Sequence, residues 1–321
     1  MATQASTLAA DQARTRHEAP GLRRRIRRHA ADYLYVAPAI VVMLVVIGYP
    51  LVYTVYRSFF FTDARDPAWT WTGIGNYTGI LSDELFWKVT WNTVVWTVGS
   101  TVLSVIIGFA AAMVLHREFI GRGLLRGILL IPWVISAVAG AYIWKWMLHS
   151  DYGLISNQLM AWGFIDDPLI VLDDKSRVMS ALVVVNVWKE FPFVMIMIMA
   201  GLQTVPQQLL RAARVDGAST WSQFRHITMP HLKGVLLITT LLLAVTNLNS
   251  FTLPYLMTGG GPANASQLWI TEIYKISFGA GLRYGEASAY SVILFLFMAI
   301  IGFFYVRALT GGGGRKIGDL R

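Results

Sequence analysis

Val205-Pro206-Gln207-Gln208-Leu209-Leu210-Arg211-Ala212-Ala213-Arg214-Val215-Asp216-Gly217-Ala218-Ser219-Thr220-Trp221-Ser222-Gln223-Phe224-Arg225-His226-Ile227-Thr228-Met229-Pro230 lies between two long apolar runs. It reads as two short helices and a turn. Pro206 suits a first helical turn, where its missing N–H costs nothing. Leu209, Leu210 and Ala213 can share one face. Gly217 permits a tight reversal or a positive φ. Ser219 has the chemistry of an N-cap for a second helix, with Trp221 and Phe224 as apolar anchors. Pro230 is expected to end that helix. A compact amphipathic element of this kind is built either to be gripped by a partner or to lie at a lipid interface.

The flanking runs belong to a wider pattern. A helix needs about 20 apolar residues to cross the hydrocarbon core. Uncharged or nearly uncharged runs cover Tyr33–Tyr56, Val89–His116, Gly127–Trp144, Val178–Leu210, Gly234–Thr271 and Ala287–Val306. The fourth is interrupted only by Lys189-Glu190, and the fifth is broken by Thr258-Gly259-Gly260-Gly261-Pro262. Six spans follow. Composition agrees: 55% of the 321 residues are apolar and only 14% are charged, against about 25% charged in soluble domains. There is no Cys, which removes disulfides, thiolate nucleophiles and Cys-bound metals.

The net charge of +9 is unevenly placed. Eighteen of the 27 Lys and Arg fall in the N-terminal tail, the loops after spans two and four, and the C-terminal tail. Lys and Arg collect on the cytoplasmic side, so both termini and the 205–230 loop are expected there. The cluster Arg23-Arg24-Arg25-Ile26-Arg27-Arg28 reads as a topology signal that also meets anionic lipid heads, with no nucleic acid required. The first run is longer than the h-region of a cleaved signal, and about 30 mostly polar residues precede it. The sequence has no phosphate loop, His-Glu-x-x-His or Gly-x-Ser-x-Gly pattern, and no His at mid-span. No catalytic and no metal-binding residue is assigned. A conduit, a receptor, an anchor or part of a complex is left.

The 205–230 stretch closely resembles the EAA loop of binding-protein-dependent ABC importer permeases. That pattern is Glu-Ala-Ala, three residues, Gly, nine residues, Ile-x-Leu-Pro. Ala212, Ala213, Gly217, Ile227 and Pro230 stand at matching spacing, and Asp216, Ala218 and Phe224 match the extended form of sugar importers. Met229 replaces Leu, and Arg211 stands where Glu is usual. Ile131-Pro132 with Trp144 is similar to the family's third span. Val187-Trp188-Lys189, Pro192-Phe193 and Ala200-Gly201-Leu202-Gln203 with Pro206 are similar to its fourth. Leu256-Met257-Thr258-Gly259-Gly260-Gly261-Pro262 resembles the signature after its fifth.

The resemblance implies an all-α, six-helix permease of type I. The basic cytoplasmic tail would be 1–32, the transmembrane domain 33–309 with its coupling loop at 205–231, and the C-terminal tail 310–321. It implies the membrane-spanning subunit of an ATP-driven carbohydrate importer, working by alternating access in a multi-pass bacterial plasma (inner) membrane. The subunit itself would not be an enzyme. Two ATPase subunits would bind ATP and Mg, a second permease (usually a different chain) would complete the path, and an extracytoplasmic solute-binding protein would deliver the sugar. Docking falls to Arg211, Ala212, Ala213, Asp216 and Gly217, with Arg211 disfavouring the ion pair that Glu makes in the family. Residue match gives the sugar site to Asn186, Lys189, Glu190, Phe193, Asn247 and Ser250. Lys189 and Glu190 could instead pair with other helices, and Asn247 could be helix–helix glue. Trp69, Trp71, Trp87, Trp91 and Trp96 read as an interfacial belt. A permease for a polyol phosphate or another non-sugar solute, and then a secondary transporter, are the alternatives.

Overall fold

The structure, a computed structural model, describes residues 30–63, 66–279 and 281–311. All but the end of the 1–32 tail, and residues 312–321 of the C-terminal tail, lie outside the described residues. The chain divides into two units, Met1–Thr54 and Val55–Arg321. Helix α1 (Ala30–Met43), a π-turn (Leu44–Gly48) and α2 (Tyr49–Arg57) follow one another without a break and carry the first apolar run.

The second unit starts with an element the apolar pattern does not announce. Strands β1 (Phe60–Asp63) and β2 (Asp66–Trp71) pair antiparallel, with Phe60 opposite Trp71 and Phe61 opposite Thr70. Aromatic rings hold the hairpin: Phe60 meets Trp71 at 5.0 Å and Trp69 at 5.8 Å between centroids. Asn76 of α3 (Gly75–Ser82) ties it down by donating to the carbonyls of Ser58 and Phe60. The remaining regular elements among the described residues are helices.

Asp83 caps α4 (Glu84–His116) by accepting the Leu85 N–H at 2.8 Å. With 33 residues, α4 is about 50 Å long, and it threads all three apolar clusters of the core. The first cluster contains Phe86 and Val89, the second Trp96, and the third Ala112 and Leu115. Helix α8 (Val178–Gln203) lies against α4. Gly108 makes this approach feasible, because a Cβ there would lie 2.6 Å from the Phe191 carbonyl oxygen and collide with Val194. Helix α7 (Leu154–Ala161) precedes α8 in the chain.

Among the described residues, five helices are long and apolar enough to cross a membrane: Tyr35–Arg57, Glu84–His116, Val178–Gln203, Thr220–Leu248 and Tyr284–Arg307. The third expected span, Gly127–Trp144, is a broken one, made of the pair α5 (Arg122–Val134) and α6 (Ala137–Met147) bent by 95°, and it makes six if the pair counts as one span. Pro132 lacks the N–H for its turn, and Ile135 and Ser136 have extended ψ values of 133° and 138°. The Ile135 carbonyl freed at the bend accepts from Lys189 Nζ at 3.0 Å. Lys189→Met is expected to cost about 2 kcal/mol by orphaning that carbonyl and removing a charged donor. An unaltered unfolding midpoint of the purified protein would show that the bend holds itself.

The fifth span also differs from its expected bounds. Helix α10 (Thr220–Gln223), a π-turn (Phe224–Thr228) and α11 (Met229–Leu248) run on, so the span starts inside the loop and does not stop at Pro230. The π-turn sends the Met229 N–H to the Phe224 carbonyl, and Pro230, which has no N–H, follows at the start of α11. Beyond α11 come two short helices, α12 (Thr252–Thr258) and α13 (Trp269–Phe278), and then α14 (Tyr284–Gly311). The segment that follows the Gly259-to-Pro262 turn, between α12 and α13, is clamped to α4. Lys88 Nζ donates to the Ala263 carbonyl, and Asn92 donates to those of Asn264 and Gln267.

Candidate functional site

Two places carry the chemistry. The first is a polar network inside the bundle. Asn186 and Glu190 are four apart on α8, so they share a face. Asn186 Nδ2 donates to Asn247 Oδ1 at 2.8 Å. Asn247 Nδ2 donates to Glu190 Oε2 at 3.1 Å and to Thr101 Oγ1 at 3.2 Å. Trp96 Nε1 adds a bond to the Asn247 carbonyl at 3.1 Å. Three helices, α4, α8 and α11, meet there. Asn186 and Asn247 are buried, at 4% and 1% exposure, while Glu190 is half-buried. Thr101 stands midway along α4, so the network lies at mid-span.

The other residues assigned to the sugar site fall around it. Lys189 points elsewhere, to the bend of the third apolar segment. Phe193 is half-buried and its ring stacks on Trp133 of α5, 6.2 Å away. Helix α11 ends at Leu248, with Asn249 as its C-cap, so Ser250 lies past the helix and is half-buried. Two members of the network, Thr101 and Trp96, carry no sign of it in the sequence. Thr101 looks like any small residue in a span, and Trp96 reads from its sequence as part of the belt. Trp96 is fully buried, which removes it from any lipid-facing belt, while Trp87 and Trp91 are exposed. Their partner is about 150 residues away in sequence, so no spacing could signal it.

The second place is the loop. Helix α9 (Gln207–Val215) starts one residue later than expected, with Pro206 as its N-cap. Its end is closed by two bonds: Ala218 N–H to the Ala213 carbonyl at 2.8 Å, and Gly217 N–H to that of Arg214 at 3.1 Å. This double closure needs a left-handed residue, and Gly217 supplies it with φ of 79°. Asp216 is the C-cap. Ser219 caps α10 by accepting the Ser222 N–H at 3.2 Å. Ser219→Ala is expected to loosen this turn by about 1 kcal/mol, read as faster amide exchange at Ser222; unchanged exchange would mean that the hydroxyl is idle. Arg211, Ala212, Asp216 and Gly217 are exposed and Ala213 is half-buried. Leu209, Val215 and Trp221 also face outward, at 47%, 88% and 67% exposure. The element thus offers small, basic and apolar groups from one stiffly capped unit.

A bundle of apolar helices with a polar mid-span network and a rigid, outward-facing helical loop at one end defines the membrane-spanning component of a transporter. The chain belongs to the family described as binding-protein-dependent transport system inner membrane component, whose model matches residues 104–310. It is therefore a multi-pass permease subunit. It is 34% identical over 283 residues to the trehalose/maltose transport system permease protein MalF of Thermococcus litoralis, covering 88% of this chain and 94% of that one. It is 33% identical over 280 residues to the sulfoquinovosyl glycerol transport system permease protein SmoG of Agrobacterium fabrum, covering 86% and 89%. Its fold matches a chain of a bacterial ABC transporter involved in import of the acidic polysaccharide alginate, with a TM-score of 0.76 at 22% identity, covering 89% of this chain and 97% of that one.

Proposed function

We propose that this chain is the membrane-spanning subunit of an ATP-driven carbohydrate importer in a bacterial inner membrane, with both termini cytoplasmic. The observation that carries the coupling half is the exposed loop: Leu209, Val215 and Trp221 stay out of the core on a unit whose turn is closed at Gly217 and capped by Ser219. Large apolar side chains held out of the core on a docking-sized element fit a protein partner. ATPase subunits that hold ATP and Mg would dock on Arg211, Ala212, Ala213, Asp216 and Gly217. A second permease and a solute-binding protein would complete the assembly. Arg211 would sit without the ion pair that Glu makes in the family, so Arg211→Glu should alter coupling only modestly.

For the substrate, the relatives named for trehalose, maltose and sulfoquinovosyl glycerol favour a sugar. Glu190, Phe193 and Ser250 keep open surface and would touch it. Asn186 and Asn247 would hold Glu190 in place. Lys189, the mid-span cation that a phosphate-bearing solute would use, already serves the Ile135 carbonyl. The sugar reading is therefore preferred over a polyol phosphate.

The test is ATP hydrolysis by the reconstituted complex, with partner permease, ATPase subunits and binding protein, against mono- and disaccharides, polyols and glycerol phosphates. Stimulation by a sugar is expected. Stimulation by a non-sugar alone would sink the carbohydrate part. Failure to recover any ATPase subunit would sink the coupling part.

A further inference from the structure

Helices α12 and α13 are too short to span, at 7 and 10 residues. They lie beyond the fifth span, at the end of the bundle opposite the docking loop. Each has a buried face: Leu253, Pro254 and Met257 on α12, and Trp269, Glu272 and Ile276 on α13. Each also has an aromatic pair four residues apart on its outer side, that of α12 starting at its N-cap Phe251. Phe251 and Tyr255 stack with centroids 4.7 Å apart and planes inclined by 19°. Tyr274 and Phe278 are 5.2 Å apart. The two pairs join, with Tyr274 at 4.8 Å from Phe251 and 5.0 Å from Tyr255. The result is one row of four rings. Phe251 and Tyr255 are half-buried, while Tyr274 and Phe278 are exposed.

The row's neighbours say what it faces. Thr246 and Asn249 are exposed at the end of α11. Asn247, between them, reaches Thr101 at the middle of the long helix α4, so these polar groups are deep within the membrane. The Asn249 Nδ2 donates to the Val245 carbonyl at 3.0 Å and to Met298 Sδ at 3.1 Å, which leaves its amide oxygen, and an exposed amide oxygen at that depth is costly against hydrocarbon and belongs beside water. Phe251 stands two residues after Asn249 and opens the row. The row therefore continues the polar, wet face of span five and does not belong to a lipid-facing surface.

We propose that Phe251, Tyr255, Tyr274 and Phe278 form a carbohydrate-stacking row that leads sugar from the outer end of the bundle down to Glu190 and Ser250. This rests on the sugar reading above. Ring faces pack against the C–H faces of a sugar, and the contact rests on the rings and not on the two tyrosine hydroxyls. A stack of rings whose planes differ in tilt offers successive resting places and no single deep one, which suits passage.

The test uses the complete complex in proteoliposomes with its binding protein and radiolabelled glucose, maltose and trehalose. The double variant Tyr255→Ala with Tyr274→Ala is expected to lower uptake of the transported sugar about tenfold, the equivalent of ~1.4 kcal/mol of lost ring contact. The double Phe variant keeps the ring faces and is expected to stay close to wild type. Unchanged uptake in the Ala variant would overturn the row. Loss of the second permease chain from the purified Ala variant would also overturn it, by making the rings a subunit contact. A wild-type complex that takes up none of the three sugars would overturn the carbohydrate reading itself, a result separable from the others because it appears before any substitution.

Discussion

Asn247→Leu is expected to destabilise the permease by about 2 kcal/mol and to abolish sugar-stimulated ATP hydrolysis at the same time. The substitution keeps the branched shape and removes the bonds of the Asn247 side chain to Asn186, Glu190 and Thr101, while the Trp96 bond to the Asn247 backbone carbonyl stays. Asn186 Nδ2 and Glu190 Oε2 each lose the partner they have at 2.8 Å and 3.1 Å. A buried polar group left unsatisfied costs about 1–3 kcal/mol, and within a membrane bundle the measured values lie at the low end. The two readouts separate two roles for Asn247. A lowered unfolding midpoint with lost stimulation fits a residue that positions Glu190. Lost stimulation at an unaltered midpoint would instead make Asn247 a direct sugar contact and the network incidental to stability.

Gly108→Leu is expected to cost about 3 kcal/mol, the upper part of the usual overpacking range, and to leave little folded protein in the membrane. The close approach of α4 and α8 leaves no room, since the new side chain would meet the Phe191 carbonyl and Val194. The control is Gly127→Leu on α5, where nothing lies within 4 Å of an added Cβ. It should express and unfold like the wild type. Equal yields of the two variants would show that α4 and α8 can separate without penalty, and the tight crossing would lose its importance.

Local features were legible in the sequence, and non-local ones were not. Gly217 and Ser219 do what their residue types foretell, because a left-handed closure and an N-cap depend on residues within three or four positions. The long apolar runs became helices for the same reason. The bend after Val134 was hidden because its partner, Lys189, is 54 residues away. Pro132 was visible, but a proline alone fits a kink as well as a break. The hairpin was hidden because Phe60, Trp69 and Trp71 in an aromatic-rich stretch fit an interfacial belt equally well. In the candidate site, residue types pointed to Asn186, Glu190 and Asn247 as a polar group at mid-span. That they bond one another, and that Lys189 leaves them, follows only from how the helices cross.

The continuity of residues 220–248 has a mechanical meaning. From Trp221 in the docking loop to Asn247 in the network the backbone is one helix with a single π-turn. At about 1.5 Å per residue this makes a rod roughly 40 Å long. Helices resist compression along their axis far better than loops do, so the rod transmits a stroke with little slack. A push of 2 Å on the loop, to take a round figure of the order of about 1–2 Å seen in interfacial helix shifts, would arrive at Asn247 nearly undiminished. That is enough to break a 3.1 Å bond to Glu190. The same rod works in reverse: a ligand that holds Glu190 and Asn247 apart would press back on whatever grips the loop.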